Sequence, residues 1–135
     1  MTEIRVGIVG YSKPCFNIEK AKDIISDAFD EVEREFPDDE IVIVSGLTDL
    51  GVPSLAYQEA VERGFKTVGI ACIKAYENDC FPVDESIIEG EEWGDESVVF
   101  IKNIDVFIRI GGGPQSMKEE QMAREANIDV ITYDL

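Results

Sequence analysis

Five short runs rich in β-branched residues, at positions 4–9, 41–44, 67–71, 106–110 and 130–133, alternate along this chain with segments of helical periodicity. A strand with one wet face alternates apolar and polar residues. A run such as Ile41, Val42, Ile43, Val44 has no polar partner, so both of its faces must be covered, as happens in a parallel sheet carrying helices on either side. Residues 17–36 supply such a helix, with Ile18, Ala21, Ile24, Ile25, Ala28, Phe29, Val32 and Phe36 on one stripe. The reading is a single α/β domain over residues 1–135. It has three layers, a five-stranded, mostly parallel, doubly wound sheet and right-handed crossovers.

The punctuation agrees with this alternation. Asn17 is placed to cap the first helix and Pro37 to end it; Pro53 suits the first position of a second helix running to about Arg63, with Gly64 at its C-cap. Residues 95–104 read as a helix with an acidic first turn, and residues 115–126 as the last helix, closed by Asn127 in a left-handed cap. Residues 72–94 break the rhythm. Nine carboxylates stand from Glu77 to Glu96, and Pro82, Gly90 and Gly94 interrupt any long element, so this segment reads as an excursion with room for a short helix.

Charge and composition then exclude several functions. Twelve basic against twenty-nine acidic side chains leave a formal charge of -17, a surface that repels phosphodiester backbones, so no nucleic-acid partner is expected. The chain has no histidine, which removes Ser-His-Asp and Cys-His nucleophile systems and histidine-rich metal sites. Cys15, Cys72 and Cys80 are odd in number and lack CxxC spacing, which points to reduced thiols in a cytoplasmic protein and to no structural metal. No apolar run approaches membrane-spanning length, so no membrane partner is expected.

In a doubly wound sheet, ligands bind beyond the carboxyl ends of the strands, so the loops that follow each strand carry the chemistry. Three are rich in glycine. The first, 10–14, offers Gly10, the Ser12 hydroxyl and the Lys13 ammonium to an anion; an ordinary tight turn is the alternative. Gly7 and Gly10 do not complete a GxGxxG pattern and no acid ends the second strand, which disfavours a conventional dinucleotide site. The second loop, 45–54, presents Ser45, Gly46, Thr48, Gly51 and Ser54 before a helix. The third, Gly111, Gly112, Gly113, Pro114, Gln115 and Ser116, is the most specific: three glycines let the backbone approach a ligand while the next helix points unpaired N–H groups at it.

One turn into that helix stand Glu119 and Glu120, where a carboxylate can reach a bound ribose or merely complement the helix dipole. Cys15 and Cys72, without a histidine partner, read as incidental thiols. The carboxylates from 77 to 96 read as solvated surface rather than a cation site, and Trp93 and Tyr76 as aromatic cover with the capacity to stack a base.

At these loops the chain resembles the SLOG superfamily of Rossmann-like nucleotide-binding proteins, which includes the Lonely Guy phosphoribohydrolases, DNA-processing protein A and molybdenum-cofactor carriers. Gly10-Tyr11-Ser12 is similar to the Gly-Ser-Ser turn after the first strand of that superfamily. Ser45-Gly46 with Gly51-Val52-Pro53 is similar to its second glycine loop. Asp105-Val106-Phe107-Ile108 followed by Gly112-Gly113-Pro114-Gln115-Ser116-Met117-Lys118-Glu119 resembles the Asp-x-Phe-Ile strand and the PGGxGTxxE signature, with Ser116 at the Thr and Glu119 at the Glu. Gly111 replaces the signature Pro, Gln115 replaces a Gly, and the Arg-Lys pair of the phosphoribohydrolases falls on Asp95-Glu96-Ser97.

The resemblance implies a small-molecule nucleotide, or a nucleotide-derived phosphate, held by Gly10, Ser12, Lys13, Ser45, Gly46, Gly51, Gly111, Gly112, Gly113 and Ser116. Lys13 or Arg109 would stand in for the missing cation pair. It also implies a homo-oligomer, and it leaves open an N-glycosidic hydrolase or transferase in which Glu119 is the catalytic carboxylate. A non-catalytic scaffold acting through its acidic excursion is the remaining alternative.

Overall fold

The structure is a computed structural model that describes residues 2–13 and 15–135; Pro14, the last residue of the first candidate loop, lies outside the described residues. Its elements are β1 (Glu3–Gly10), α1 (Ile18–Glu35), β2 (Glu40–Ser45), α2 (Gly51–Arg63), β3 (Lys66–Ala71), a 3-10 turn (Ile73–Glu77), β4 (Glu85–Ile88), α3 (Ser97–Lys102), β5 (Val106–Ile110), α4 (Pro114–Glu125) and β6 (Asp129–Tyr133). All adjacent strands run parallel, in the order β4-β3-β2-β1-β5-β6.

The sheet therefore has six strands where the apolar runs predict five. The sixth, β4, lies inside the acidic excursion. Only Ile87 and Ile88 of its four residues are even partly buried, because an edge strand has one neighbour and needs no continuous apolar run. Asp84 aligns it: its carboxylate accepts from the Thr67 N–H at 2.9 Å and the Thr67 hydroxyl at 3.1 Å, while its own N–H donates to that hydroxyl at 3.0 Å.

Residues of alternate parity face opposite layers. Val6, Ile8, Ile41, Ile43, Val106 and Ile108 meet Ile25, Phe29 and Val32 of α1 and Val52, Ala56 and Tyr57 of α2. Val9, Val42, Val44, Val68 and Phe107 meet Phe100 and Ile101 of α3 and Ala123 of α4. This double burial is the physical reason the central strands read as continuous apolar runs.

The helix ends follow local chemistry. Asn17 Oδ1 accepts from the Lys20 N–H at 3.0 Å, Gly64 closes α2, and Asn127 takes φ 59° after α4. Pro53 sits at the third position of α2 rather than the first, still inside the turn whose N–H groups have no helical acceptor. The helix α3 begins two residues later than its pattern predicts. Asp95 turns its carboxylate back to accept from the N–H groups of Glu91 and Glu92, at 3.1 and 3.0 Å, and so belongs to the preceding turn.

Arg63 ties the two helices of the first layer together. Its guanidinium donates to Glu59, Asp30 and Glu33 at 3.0, 2.9 and 2.6 Å and to the Ser26 carbonyl at 3.2 Å, over the ring of Phe29. Arg63→Ala is expected to lower stability by about 1–2 kcal/mol, measured by urea unfolding, because several charge-assisted bonds are lost while their partners remain near water. Ligand binding at the far end of the sheet should not change; a variant as stable as the parent would show that the cluster contributes nothing.

Candidate functional site

The order of strands reverses at β1. Crossovers through α1 and α2 carry the chain to one side, and β5 and β6 lie on the other, so the loops after β1 and β5 diverge and leave a crevice at the carboxyl edge. A cavity of about 380 Å³ occupies this position.

The three loops are locked to one another. The Val52 N–H donates to the Tyr11 carbonyl at 2.8 Å, which seats the first turn of α2 on the first loop. Gly51 makes that contact possible: it has φ +60°, and a Cβ there would lie 2.0 Å from the Tyr11 carbonyl oxygen. Gly10 is similarly confined, since a Cβ would stand 2.4 Å from the Ile110 carbonyl oxygen. Gly112, at φ +106°, leaves room for Ser116, whose Cβ and Oγ would be 2.6 Å from an added Cβ. The second loop is pinned from below by Tyr57, fully buried, whose hydroxyl lies 2.7 Å from the Gly46 carbonyl and 2.8 Å from that of Val68. Burial drives its phenol well above the ordinary tyrosine range, so it stays a donor.

The structure brings Gly10, Ser12, Lys13, Ser45, Gly46, Gly113, Ser116 and Glu119 to the wall of one cavity, together with Cys15, Thr48 and Trp93. Gly51, Gly111 and Gly112 are not part of that wall and shape the loops behind it. Ser45 lines the cavity while its hydroxyl donates to the Ile8 carbonyl at 2.7 Å. Ser54 lies outside, bonded to Asp49 and Gln58. Ile8, Val9, Leu47, Ile70 and Phe100 give the cavity an apolar floor.

The two acids of α4 separate completely. Glu120 turns outward to Arg109 and Arg124, at 2.5 and 3.1 Å, and the Arg109 guanidinium holds its carboxyl below the usual range. Arg109 also donates to the Gly111 carbonyl at 2.9 Å; it braces the third loop and does not line the cavity. Glu119 faces inward, 6% exposed, and Ser97 Oγ donates to its Oε2 at 2.9 Å. Burial pushes its carboxyl up to about 7, the Ser97 hydrogen bond opposes this, and the charge of Glu96 adds to it.

Glu96 is the residue that sequence reasoning missed. It lines the cavity, is 5% exposed, and its Oε1 accepts from the Gly94 N–H at 2.7 Å. As one member of a dense acidic run it reads as solvated surface. The usable signal is its place at the N-cap of the helix Ser97-Val98-Val99-Phe100-Ile101, which starts at the carboxyl edge of the sheet. Among the described residues, no group of three or more His, Cys, Asp or Glu is placed to hold a metal ion, and no helix is long and apolar enough to cross a membrane.

A parallel, doubly wound sheet with a partly apolar cavity at its switch point defines a Rossmann-like ligand-binding architecture. The chain belongs to the SLOG cluster4 family, whose model matches residues 3–134. It is similar in fold to the molybdenum cofactor binding protein of the phototrophic bacterium Rippkaea orientalis, with 22% identity, a TM-score of 0.80, and coverage of 100% of this chain and 78% of that one. The Moco carrier protein of Chlamydomonas reinhardtii gives 19% identity, a TM-score of 0.79 and coverage of 98% and 78%. The X-ray structure of a structural-genomics target gives 26% identity, a TM-score of 0.74 and coverage of 94% and 72%. No curated protein matches the sequence.

Proposed function

We propose that this chain binds a phosphate-bearing heterocycle of the nucleotide class in the switch-point cavity. The observation that carries the reading is the cavity's polarity. Its lining combines Ser12, the Lys13 ammonium and the N-terminus of α4 at Gly113–Ser116, all suited to an anion, with Phe100, Ile70 and Trp93, which offer apolar and aromatic surface. The names of two structural neighbours, a molybdenum cofactor binding protein and a Moco carrier, agree with a small-molecule ligand. The overall charge of -17 disfavours a nucleic acid on the same cavity.

Proton NMR of nucleotides and nucleotide sugars mixed with the protein tests this reading. Line broadening of an intact nucleotide is expected, weakened roughly tenfold in affinity by Lys13→Ala, since one charge-assisted contact to phosphate contributes about 1.5 kcal/mol. Silence across the whole panel would refute it.

A second reading, cleavage of the N-glycosidic bond, is favoured by one observation: Glu119 faces the cavity with a carboxyl raised to about 7, where it can hold or give up a proton near neutrality. The same spectra would then show free base or sugar phosphate, and Glu119→Gln would stop its appearance while the nucleotide still bound.

A further inference from the structure

We propose that ligand binding in the switch-point cavity is proton-linked through Glu119: an anion at the N-terminus of α4 is received while this carboxyl holds its proton and rejected once it is charged. This goes beyond the reading above and rests on it.

Once a phosphate enters, the cavity has too little positive charge to serve every anion in it. Lys13 is the one Lys or Arg among the described residues of its wall, and Glu96 and Glu119 are its carboxyl groups. Both are buried, 5% and 6% exposed, and among the described residues no salt bridge reaches either of them. Glu119 has only neutral hydrogen-bond partners, Ser97 and Gln115. Two carboxyl groups buried in one wall without a cation of their own favour a proton on one of them. At Glu119 burial, with the charge of Glu96 added, pushes the carboxyl up to about 7.

The place of Glu119 on α4 couples that proton to the ligand. Ser116 and Glu119 stand one turn apart on the same face of the helix, about 5–6 Å between Cβ atoms, and both line the cavity. Helix side chains lean back toward the N-terminus, so a charged Glu119 draws on the same positive helix end that would receive a phosphate. Around it, α3 brings Glu96 and the Ser97 hydroxyl, α4 its own Lys118, and the first loop Tyr11, Lys13 and Cys15. Lys118 favours the charged form, and burial outweighs it. The strands β5 and β6 turn Phe107 and Val130 to this layer, while Arg109 is taken by Glu120. Lys13, engaged by a phosphate, cannot neutralise Glu119 as well. Binding above pH 7 therefore moves one proton from solvent onto the Glu119 carboxylate, whereas well below that pH the proton is already in place.

Calorimetric titration of the whole chain with ADP-ribose, UDP-glucose and GDP-mannose tests the linkage, because the phosphodiester charges of these probes do not change between pH 6 and pH 8. Affinity should be about tenfold weaker at pH 8 than at pH 6, and at pH 8 about one proton should be taken up per ligand, read from buffers of different ionisation enthalpy. Glu119→Gln should remove both the pH dependence and the proton uptake. Ser97→Ala, which deletes a donor that steadies the charge, should move the loss of affinity to higher pH. Thermal melting would establish that the variants are folded, and the proton uptake of the parent chain needs no variant at all. Equally tight binding at both pH values without proton uptake, or a pH dependence that survives in Glu119→Gln, overturns the linkage while leaving nucleotide binding intact; no binding of any of the three at either pH overturns both.

Discussion

Replacing Gly51 by alanine is expected to lower the melting temperature by roughly 10 °C and to abolish ligand binding. Two costs combine. Residue 51 holds φ +60°, which costs an L-residue about 1–2 kcal/mol. The added methyl would also stand 2.0 Å from the Tyr11 carbonyl oxygen and 2.7 Å from Ser12 Cα, both backbone atoms that no rotamer change can move. Overpacking of that kind costs about 1–3 kcal/mol, and in a domain of this size each kcal/mol shifts melting by about 3 °C. Displacing Tyr11 breaks the bond from Val52 N–H and moves the loop that carries Ser12 and Lys13, so stability and binding fail together. Gly46→Ala is the control for stability, since nothing lies within 4 Å of the Cβ it would add. Thermal denaturation by circular dichroism measures both; a Gly51→Ala chain melting with the parent would mean that the first loop is not seated on α2.

The second large effect is a pH-dependent gain of stability in Glu119→Gln. The Glu119 carboxyl titrates near 4.5 when exposed and at about 7 when folded. Below pH 4.5 both states hold the proton and the residue costs nothing. Between 4.5 and 7 the unfolded chain has released it and the folded chain has not, so folding must retain a proton from an increasingly alkaline solution. Stability therefore falls as pH rises through this window, by up to about 1.4 kcal/mol per pH unit and roughly 3 kcal/mol in all. Glutamine keeps the shape and an acceptor for Ser97 but has no proton to lose. The variant should melt with the parent near pH 4 and well above it at pH 8, so the comparison cancels the titration of every other carboxylate. A difference constant across pH would contradict the buried state of Glu119.

How much of this is legible in the sequence depends on burial. The central strands announce themselves because both faces are covered, and α1 because its stripe is apolar while Asn17 caps it. Edge strand β4 is silent for the opposite reason: Glu85 and Ser86 face water, and its placement comes from Asp84 reaching Thr67, a contact that local periodicity does not encode. At the site, Gly10, Ser12, Lys13, Ser45, Gly46, Gly113 and Ser116 are legible as loops at strand ends. What is not legible is which way a side chain turns. Adjacent in sequence, Glu119 enters the cavity and Glu120 leaves it, a choice made by Ser97 on one side and Arg109 on the other. Glu96 hides in a run of acids that are otherwise wet, and the position where the phosphoribohydrolases carry cations holds a buried carboxylate here.

Amide chemical shifts decide whether the switch-point cavity is a ligand site. A titration of the isotopically labelled chain with GMP is predicted to move the resonances of Ser12, Lys13, Gly46, Gly113 and Ser116 together, saturating with one affinity, while those of the α1–α2 face around Gln58 stay in place. Shifts confined to that outer face, or a spectrum unchanged by any nucleotide or nucleotide sugar, would contradict it.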